Sequence, residues 1–374
     1  MTQATQTLKA VSNVLGFSKT YELPLAKGYV RHWGMAEAVR ELLQNALDSE
    51  SPFEYEWIDR DDAAGSDLLI RSRYTTLDPS SLLLGATTKA ERTDTIGSFG
   101  EGYKIALLVL ARQGYDVTVY NGERIWTPHF RESRQFGAEV LCISDHPSPQ
   151  PNEGLTFRVS GLSPDDCAQI ISTCLPMQPE LGETITTTKG RILLGKPGKL
   201  YVGGLFVCDT KMRYGYDVKP EHLRLERDRQ TVSTFDLAFI TKEFWFESGR
   251  HEAVGQMIAD NVPDLEYGNY NCPELVKEVC YSIFRKRHPG KIIANSPEEV
   301  ERYVKQGMTE VVYVGGAMYG AVKESNSYKT EVTIKLKSPY EILADWLKLN
   351  RKHMRRDGII AFRRLIEDAV KWKI

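Results

Sequence analysis

The chain has 374 residues, 41% of them hydrophobic and 26% charged, the balance of an ordinary soluble protein long enough for two or three domains with cores of their own. Its formal net charge of −2 excludes a uniformly basic nucleic-acid coat. Six cysteines, at 142, 167, 174, 208, 272 and 280, include no C-x-x-C pair, which excludes a zinc ribbon or thioredoxin-like motif and predicts reduced thiols in a cytoplasmic protein.

Met1 to Lys27 contains no apolar h-region, and no apolar run approaches the length of a membrane span, so no membrane is expected among the partners. The first segment that carries chemistry is the helix predicted over Arg40 to Ser49. It sets Glu41, Asn45 and Asp48 at i, i+4 and i+7, on one stripe, while Leu42, Leu43, Ala46 and Leu47 cover the neighbouring face. A carboxylate one turn before a carboxamide suits a site that holds a cation and activates a water. The same stripe is also the wet face of an ordinary amphipathic helix, and on this segment alone both readings stand.

Further along, Leu84-Gly85-Ala86-Thr87-Thr88-Lys89 leads to Ile96-Gly97-Ser98-Phe99-Gly100-Glu101-Gly102-Tyr103-Lys104 and then to the apolar stretch Ile105 to Ala111. Glycines at 97, 100 and 102 let backbone N–H groups approach an anion, and the helix that follows points its positive dipole end at the same place. The spacing is neither the Rossmann order nor a P-loop, and a G-x-x-G-x-G run by itself is as often a turn. Lys89 and Lys104 are candidate phosphate neutralisers, and each is also what a surface lysine looks like.

In Gly154-Leu155-Thr156-Phe157-Arg158-Val159, alternation places Leu155, Phe157 and Val159 on one face of a strand. Strands are predicted at Arg191 to Leu194 and Lys199 to Val207, the second broken by a turn or bulge at Gly203-Gly204. Ser296-Pro297-Glu298-Glu299-Val300 reads as a capped helix start with Ser296 as N-cap, and Glu310 to Val314 as a strand. Pro339 to Ile374 reads as helices split near Gly358, basic through Lys348, Arg351, Lys352, Arg355, Arg356, Arg363 and Arg364. Such a tail suits nucleic acid, an acidic protein or a partner helix, and equally a solvated face.

Taken as a pair, the E-x-x-x-N-x-x-D helix and the later G-x-x-G-x-G that opens a helix resemble the nucleotide-binding domain shared by DNA gyrase, the heat-shock chaperone of ninety kilodaltons, histidine kinases and MutL, the GHKL or Bergerat fold. The resemblance covers roughly residues 30 to 160. It implies an α/β fold of the α+β sandwich kind, with helices over a mixed sheet. It also implies ATP and Mg²⁺ as cofactors, with Glu41 as general base for the water that attacks the γ-phosphate and Asn45 as the metal ligand. Asp48 is assigned to the base pocket or to the shell that supports it. Gly97, Gly100, Gly102, Lys89 and Lys104 fall on the phosphate side.

The sequence departs from the family at its second motif, D-x-G-x-G, whose aspartate accepts the adenine amino group. Here Ser72 stands at the aspartate and Tyr74 and Thr76 at the glycines, with Asp67 and Asp78 as nearby acidic groups. Asp78-Pro79 also has the form of a turn or helix start. Thr156 corresponds to the family's strand threonine, one position late. In Leu223-Arg224-Leu225-Glu226-Arg227-Asp228-Arg229-Gln230 the chain resembles the loop by which a transducer domain returns a cation to the γ-phosphate, which assigns Arg229 first and Arg227 second. Alternating charges there also fit a salt-bridged strand end.

The expected organisation is a GHKL-like domain over residues 1–165, a transducer-like α/β domain over 166–338 and a basic helical tail over 339–374. The expected activity is slow ATP hydrolysis driving a conformational switch or clamp, with a homodimer as the closing assembly and a client that is nucleic acid or protein. A chaperone-like machine and a nucleotide sensor without hydrolysis are the alternatives. A histidine kinase is disfavoured, because His32 is the one histidine before the motif helix and no helix pair to carry it precedes.

Overall fold

The protein is described by a computed structural model over residues 18–49, 51–60, 65–83, 101–223, 233–305, 308, 310–335 and 339–371. These residues divide into two compact units. One holds the chain up to Thr184, Lys189–Thr210 and the stretch from Tyr214; the other holds Ile185–Thr188, Lys211–Arg213 and the chain from Ser233 onward.

The first unit opens with β1 (Lys19–Ala26), helix α1 (Met35–Leu47), β2 (Glu54–Asp59) and β3 (Ser66–Ser72). Helix α2 (Gly102–Gln113), β4 (Asp116–Asn121), β5 (Arg124–Ser133), β6 (Ala138–Pro147), β7 (Leu155–Leu162) and helix α3 (Pro164–Thr173) follow. The strands form a seven-stranded sheet in the order β1-β6-β5-β4-β7-β3-β2. Every described pairing in it is antiparallel, which corrects the expectation of a mixed sheet. The reason is local: β4, β5 and β6 follow one another through short turns, and such turns join only antiparallel neighbours.

Period-two alternation decides what each face carries. Leu68, Ile70 and Ser72 on β3 share a face with Leu155, Phe157 and Val159 on β7, because Ile70 pairs with Phe157 and Ser72 with Leu155. That face is the core: Leu68, Ile70, Leu155, Phe157 and Val159 cluster with Val39, Leu42 and Leu43 of α1 and Leu107 of α2. Leu42 and Leu43 are fully buried, and each contributes about 1.5–3 kcal/mol of apolar burial. Helix α2 is buried all round from Tyr103 to Leu110, so it is an inner helix and not a surface one. It stops at Gly114 (φ 87°), whose left-handed conformation lets Tyr115 N–H reach Leu110 O at 3.1 Å.

Next come β8 (Thr184–Thr187), β9 (Gly190–Leu193), β10 (Lys199–Val202), β11 (Leu205–Asp209) and β12 (Gly215–Val218). Of these, the four from β9 onward form a second sheet of the first unit in the order β11-β10-β12-β9, with β10 and β12 parallel. Gly203 (φ 57°) and Gly204 (φ 85°) make the two-residue turn between β10 and β11, as the Gly-Gly pair predicts.

The second unit contains α4 (Thr234–Glu247), α5 (His251–Ala259) and α6 (Glu274–Arg287). After these come β13 (Ile292–Ala294), α7 (Pro297–Lys305), β14 (Val311–Tyr313), α8 (Gly316–Glu324), α9 (Asn326–Lys335), α10 (Pro339–Asn350) and α11 (Arg356–Lys371). β13 and β14 are parallel, with α7 as their crossover. The cap read at α7 is present: Ser296 Oγ accepts from Glu299 N–H at 3.1 Å, and the Glu299 carboxylate accepts from Asn295 N–H at 3.1 Å. Burial works against ionisation of Glu299, but the Lys323 ammonium, the Tyr319 hydroxyl and the Asn295 N–H outweigh it and hold the carboxyl at about 2. The tail helices divide at Arg351–His353 and not at Gly358, which sits in the first turn of α11, where a glycine costs the helix little. Among the described residues no helix is long and apolar enough to cross a membrane.

Candidate functional site

Helix α1 begins where the Glu37 carboxylate accepts from Gly34 N–H at 2.8 Å, and its apolar stripe then fixes its rotation against the sheet. That rotation buries Glu41 to 1% exposure, an arrangement a carboxylate tolerates only with polar company. Part of it is Arg40, whose Nη1 lies 3.7 Å from Glu41 Oε1 while its Nε donates to Phe206 O at 3.0 Å. Asn45 is half-buried one turn on. Its Nδ2 donates to Glu41 O at 2.9 Å, so the nitrogen is held by the helix and Oδ1 is the end suited to a cation. Asp48, the third member of the stripe, is buried and forms the C-cap of α1.

The glycine that opens α2 meets this stripe. A Cβ built on Gly102 would overlap the Glu41 carboxylate, so the acid lies directly against the first residue of α2. Glu101, the N-cap residue of α2, makes no side-chain capping bond. The N–H groups of the first turn of α2, which have no partner within the helix, and the positive end of its dipole therefore lie beside the Glu41 carboxylate. Gly97, Gly100 and Lys89 lie outside the described residues.

Lys104 is not a surface lysine. It is 0% exposed, and its Nζ donates to Ser81 O at 2.8 Å and to Leu83 O. Burial pulls its pKa below the ordinary lysine value, with Glu101 opposing. Beside it the Tyr103 hydroxyl donates to Ser81 O at 2.8 Å. The first turn of α2 thus clamps the short 3₁₀ helix Pro79–Leu82, itself capped by Asp78 through Ser80 N–H at 2.8 Å.

On the strand side, Ser72 ends β3 on the core face at 7% exposure. Gly154 (φ 98°) approaches it so closely that a Cβ there would overlap the Ser72 and Arg73 carbonyls. Alternation sends Thr156 to the opposite face of the sheet, where it pairs with Arg71 and its Oγ1 accepts from Asn152 Nδ2 at 3.2 Å. The structure therefore brings Glu41 against Gly102, keeps Asn45 one turn and Asp48 two turns further along α1, sets Ser72 on the core face of the sheet, and leaves Thr156 on the other. Tyr74 is 82% exposed and Thr76 is exposed too, so both side chains face solvent. Asp67, near the other end of β3, is on the far face in an ion pair with Arg158 at 2.5 Å. Burial opposes that charge, yet Arg158 and the Gly161 N–H hold the carboxyl below its usual range.

Three positioning residues escaped the sequence. Arg112 on α2 donates to the carbonyls of Lys27, Tyr29, Val30 and Trp33, tying the segment before α1 to α2; Val30 is held there at φ 44°, a strained value for a β-branched residue. Asn121 pairs in both directions with the Leu77 backbone at 2.8 Å and anchors the segment after β3. Arg40 stands beside Glu41. None of the three sits at a motif spacing, so no pattern signals them. Arg227 and Arg229 lie outside the described residues. Among the described residues no three His, Cys, Asp or Glu side chains gather into a metal-holding group. A cation here would rest on Asn45 Oδ1, waters and ligand oxygens, the sparse shell that Mg²⁺ accepts.

No protein-family model matches the chain. A protein of Mycoplasma pneumoniae named only as uncharacterized is 25% identical over 220 residues, which cover 55% of this chain and 89% of that protein.

Proposed function

We propose that the first unit is a GHKL-type nucleotide site that binds ATP with Mg²⁺ and hydrolyses it slowly, and that the protein uses nucleotide state as a conformational switch or clamp. The observation that carries this reading is the contact between the Glu41 carboxylate and Gly102 at the N-terminus of α2. A general base, a cation ligand one turn away at Asn45 and the backbone N–H groups of a helix first turn are the parts that phosphoryl transfer to water requires, since that chemistry is mostly positioning and charge neutralisation.

In this reading Glu41 orients and deprotonates the attacking water, and Asn45 Oδ1 holds Mg²⁺, which when bound neutralises phosphate charge. Gly102, with Gly97 and Gly100, gives phosphate oxygens access to backbone N–H groups. Ser72 stands at the base end, and Asp48 supports it from α1. Lys104 acts through the backbone it clamps. Arg229 is the cation returned to the γ-phosphate from beyond the site, two copies of the chain close together, and the client is nucleic acid or protein.

The test is phosphate release from labelled ATP with Mg²⁺ by the wild type and by Glu41→Ala. Slow release by the wild type, lowered about 100-fold or more in the variant with ATP binding retained, is the expected result for a lost general base. Binding without release in the wild type would replace the enzyme by the sensor.

A further inference from the structure

Between the segment 261–270 and helix α8, the second unit holds a cleft of about 720 Å³, within the range of small-molecule sites. It lies at the carboxyl ends of two parallel strands, since Asn295 follows β13, and Gly315-Gly316 follow β14 and begin α8. Ligands of parallel sheets gather where strands hand over to helices in this way. We infer that the cleft binds a nucleobase, stacking a planar purine or pyrimidine ring on tyrosine and reading its edge with asparagine carboxamides, at a site of its own apart from the triphosphate site proposed for the first unit.

Glycine makes the space. A Cβ on Gly315 would overlap the Asn261 carboxamide and one on Gly320 would overlap the Asn269 side chain, so the segment 261–270 rests directly on α8 at both places. Asn261 and Asn271 turn the chain at the ends of that segment, each at φ 53°, a region that asparagine enters more readily than most residues. At Gly316 a Cβ would meet nothing, so this wall of the cleft is helix backbone with open space in front of it.

The opposite wall is aromatic. Tyr267 and Tyr270 line it with their ring centres 6.1 Å apart. Phe235 and Phe239 of α4 brace them, Phe235 at 5.2 Å from Tyr267 and Phe239 at 6.1 Å from each tyrosine. Lys242 is buried in the same cluster, its Nζ 3.7 Å from the centre of the Phe239 ring and donating to Tyr270 O at 3.4 Å. Tyr270 is thus held by its backbone while the residue stays 52% exposed. A ring that is rigidly backed yet open to solvent is a stacking platform, and it accepts any base because every base has a π face.

The polar lining selects among planar ligands. Asn261, Asn269 and Asn295 all line the cleft, and each carboxamide presents two donors beside an acceptor. The edge of a nucleobase carries donors and acceptors side by side, the pattern a carboxamide pairs with. A phenylalanine, tyrosine or tryptophan side chain from a partner protein offers at most one polar atom to the same groups. Among the described residues Glu266 is the only charged side chain in the lining, so nothing there attracts a phosphate, and the base is the part of a nucleotide that the cleft recognises.

Such a base arrives on a free nucleoside or within a single strand. The common ribonucleosides and a short single-stranded oligonucleotide of mixed sequence are titrated calorimetrically into the full chain without Mg²⁺. The wild type is expected to bind at least one nucleoside and the strand. Tyr270→Ala should weaken that binding by about fivefold to 100-fold, the scale of one base stacked on an aromatic ring. Gly316→Leu, which grows a side chain into the open space, should abolish it with the melting temperature unchanged. Equal affinity for nucleoside and strand identifies a free nucleoside as the ligand; an affinity about tenfold or more higher for the strand identifies a base within a strand.

A wild type that binds neither overturns the inference, as does binding that both substitutions leave unchanged. An abasic strand of the same length that binds as tightly as the complete one also overturns it, because the backbone and not the base would then be what is held.

Discussion

The helix end and the strand end of the proposed nucleotide site are built by different rules, and the difference shows where a motif can be trusted. At the helix end, Glu41 meets Gly102, with Asn45 one turn on, because two buried helices pack against one another and each helix carries its residues at fixed angles. At the strand end, Ser72 and Thr156 stand on neighbouring strands, yet a shift of one position in the pleat puts them on opposite faces of the sheet. A helix motif tolerates a neighbour one place off, since i+3 and i+4 share a face. A strand motif does not.

Gly102→Ala tests the helix end most sharply. The added methyl overlaps the Glu41 carboxylate, but that carboxylate is the far end of a movable side chain, so the fold survives while the acid is displaced. Turnover should fall by about tenfold to 100-fold, as misplacement by an ångström does, with little change in thermal stability. A variant that hydrolyses ATP at the wild-type rate would separate Glu41 from Gly102 functionally.

Lys104→Met removes the ammonium that meets the Ser81 and Leu83 carbonyls, leaving Ser81 O with the Tyr103 hydroxyl alone. Denaturant unfolding should show a loss of about 1–3 kcal/mol. Should stability instead stay unchanged while nucleotide affinity drops, Lys104 belongs with the phosphates and not with the clamp.

Thr156→Val is expected to do least. It forfeits the hydrogen bond from Asn152, about 0.5–1.5 kcal/mol of stability, and leaves nucleotide affinity within about twofold, because the side chain lies behind the sheet. A larger loss of affinity would mean that the strand end is reached from the far face.

Much of this was legible in the residues themselves. The stripe on α1, the opening of α2 at Gly102, the Gly203-Gly204 turn and the Ser296 cap all follow from local rules that tertiary packing did not override. The alternation of Leu155, Phe157 and Val159 was legible too, and its consequence for Thr156 was contained in it: when those three face the core, the residue between them cannot. Lys104 was hidden for a different reason. A lysine beside glycines reads as exposed, and only the burial of α2 on every side turns it inward. Arg112 and Asn121 were invisible because their partners are backbone carbonyls and amides far away in sequence, which leave no trace in side-chain patterns. The antiparallel pairing of the first sheet came from chain connectivity, where the resemblance had implied a mixed sheet.

The central claim is that Asn45 and Glu41 form one magnesium and triphosphate site. Calorimetric titration of a non-hydrolysable ATP analogue, with and without Mg²⁺, into the wild type and Asn45→Ala tests it directly. Binding strengthened by Mg²⁺ in the wild type and indifferent to it in the variant is the predicted result; equal dependence on Mg²⁺ in both proteins would contradict the account.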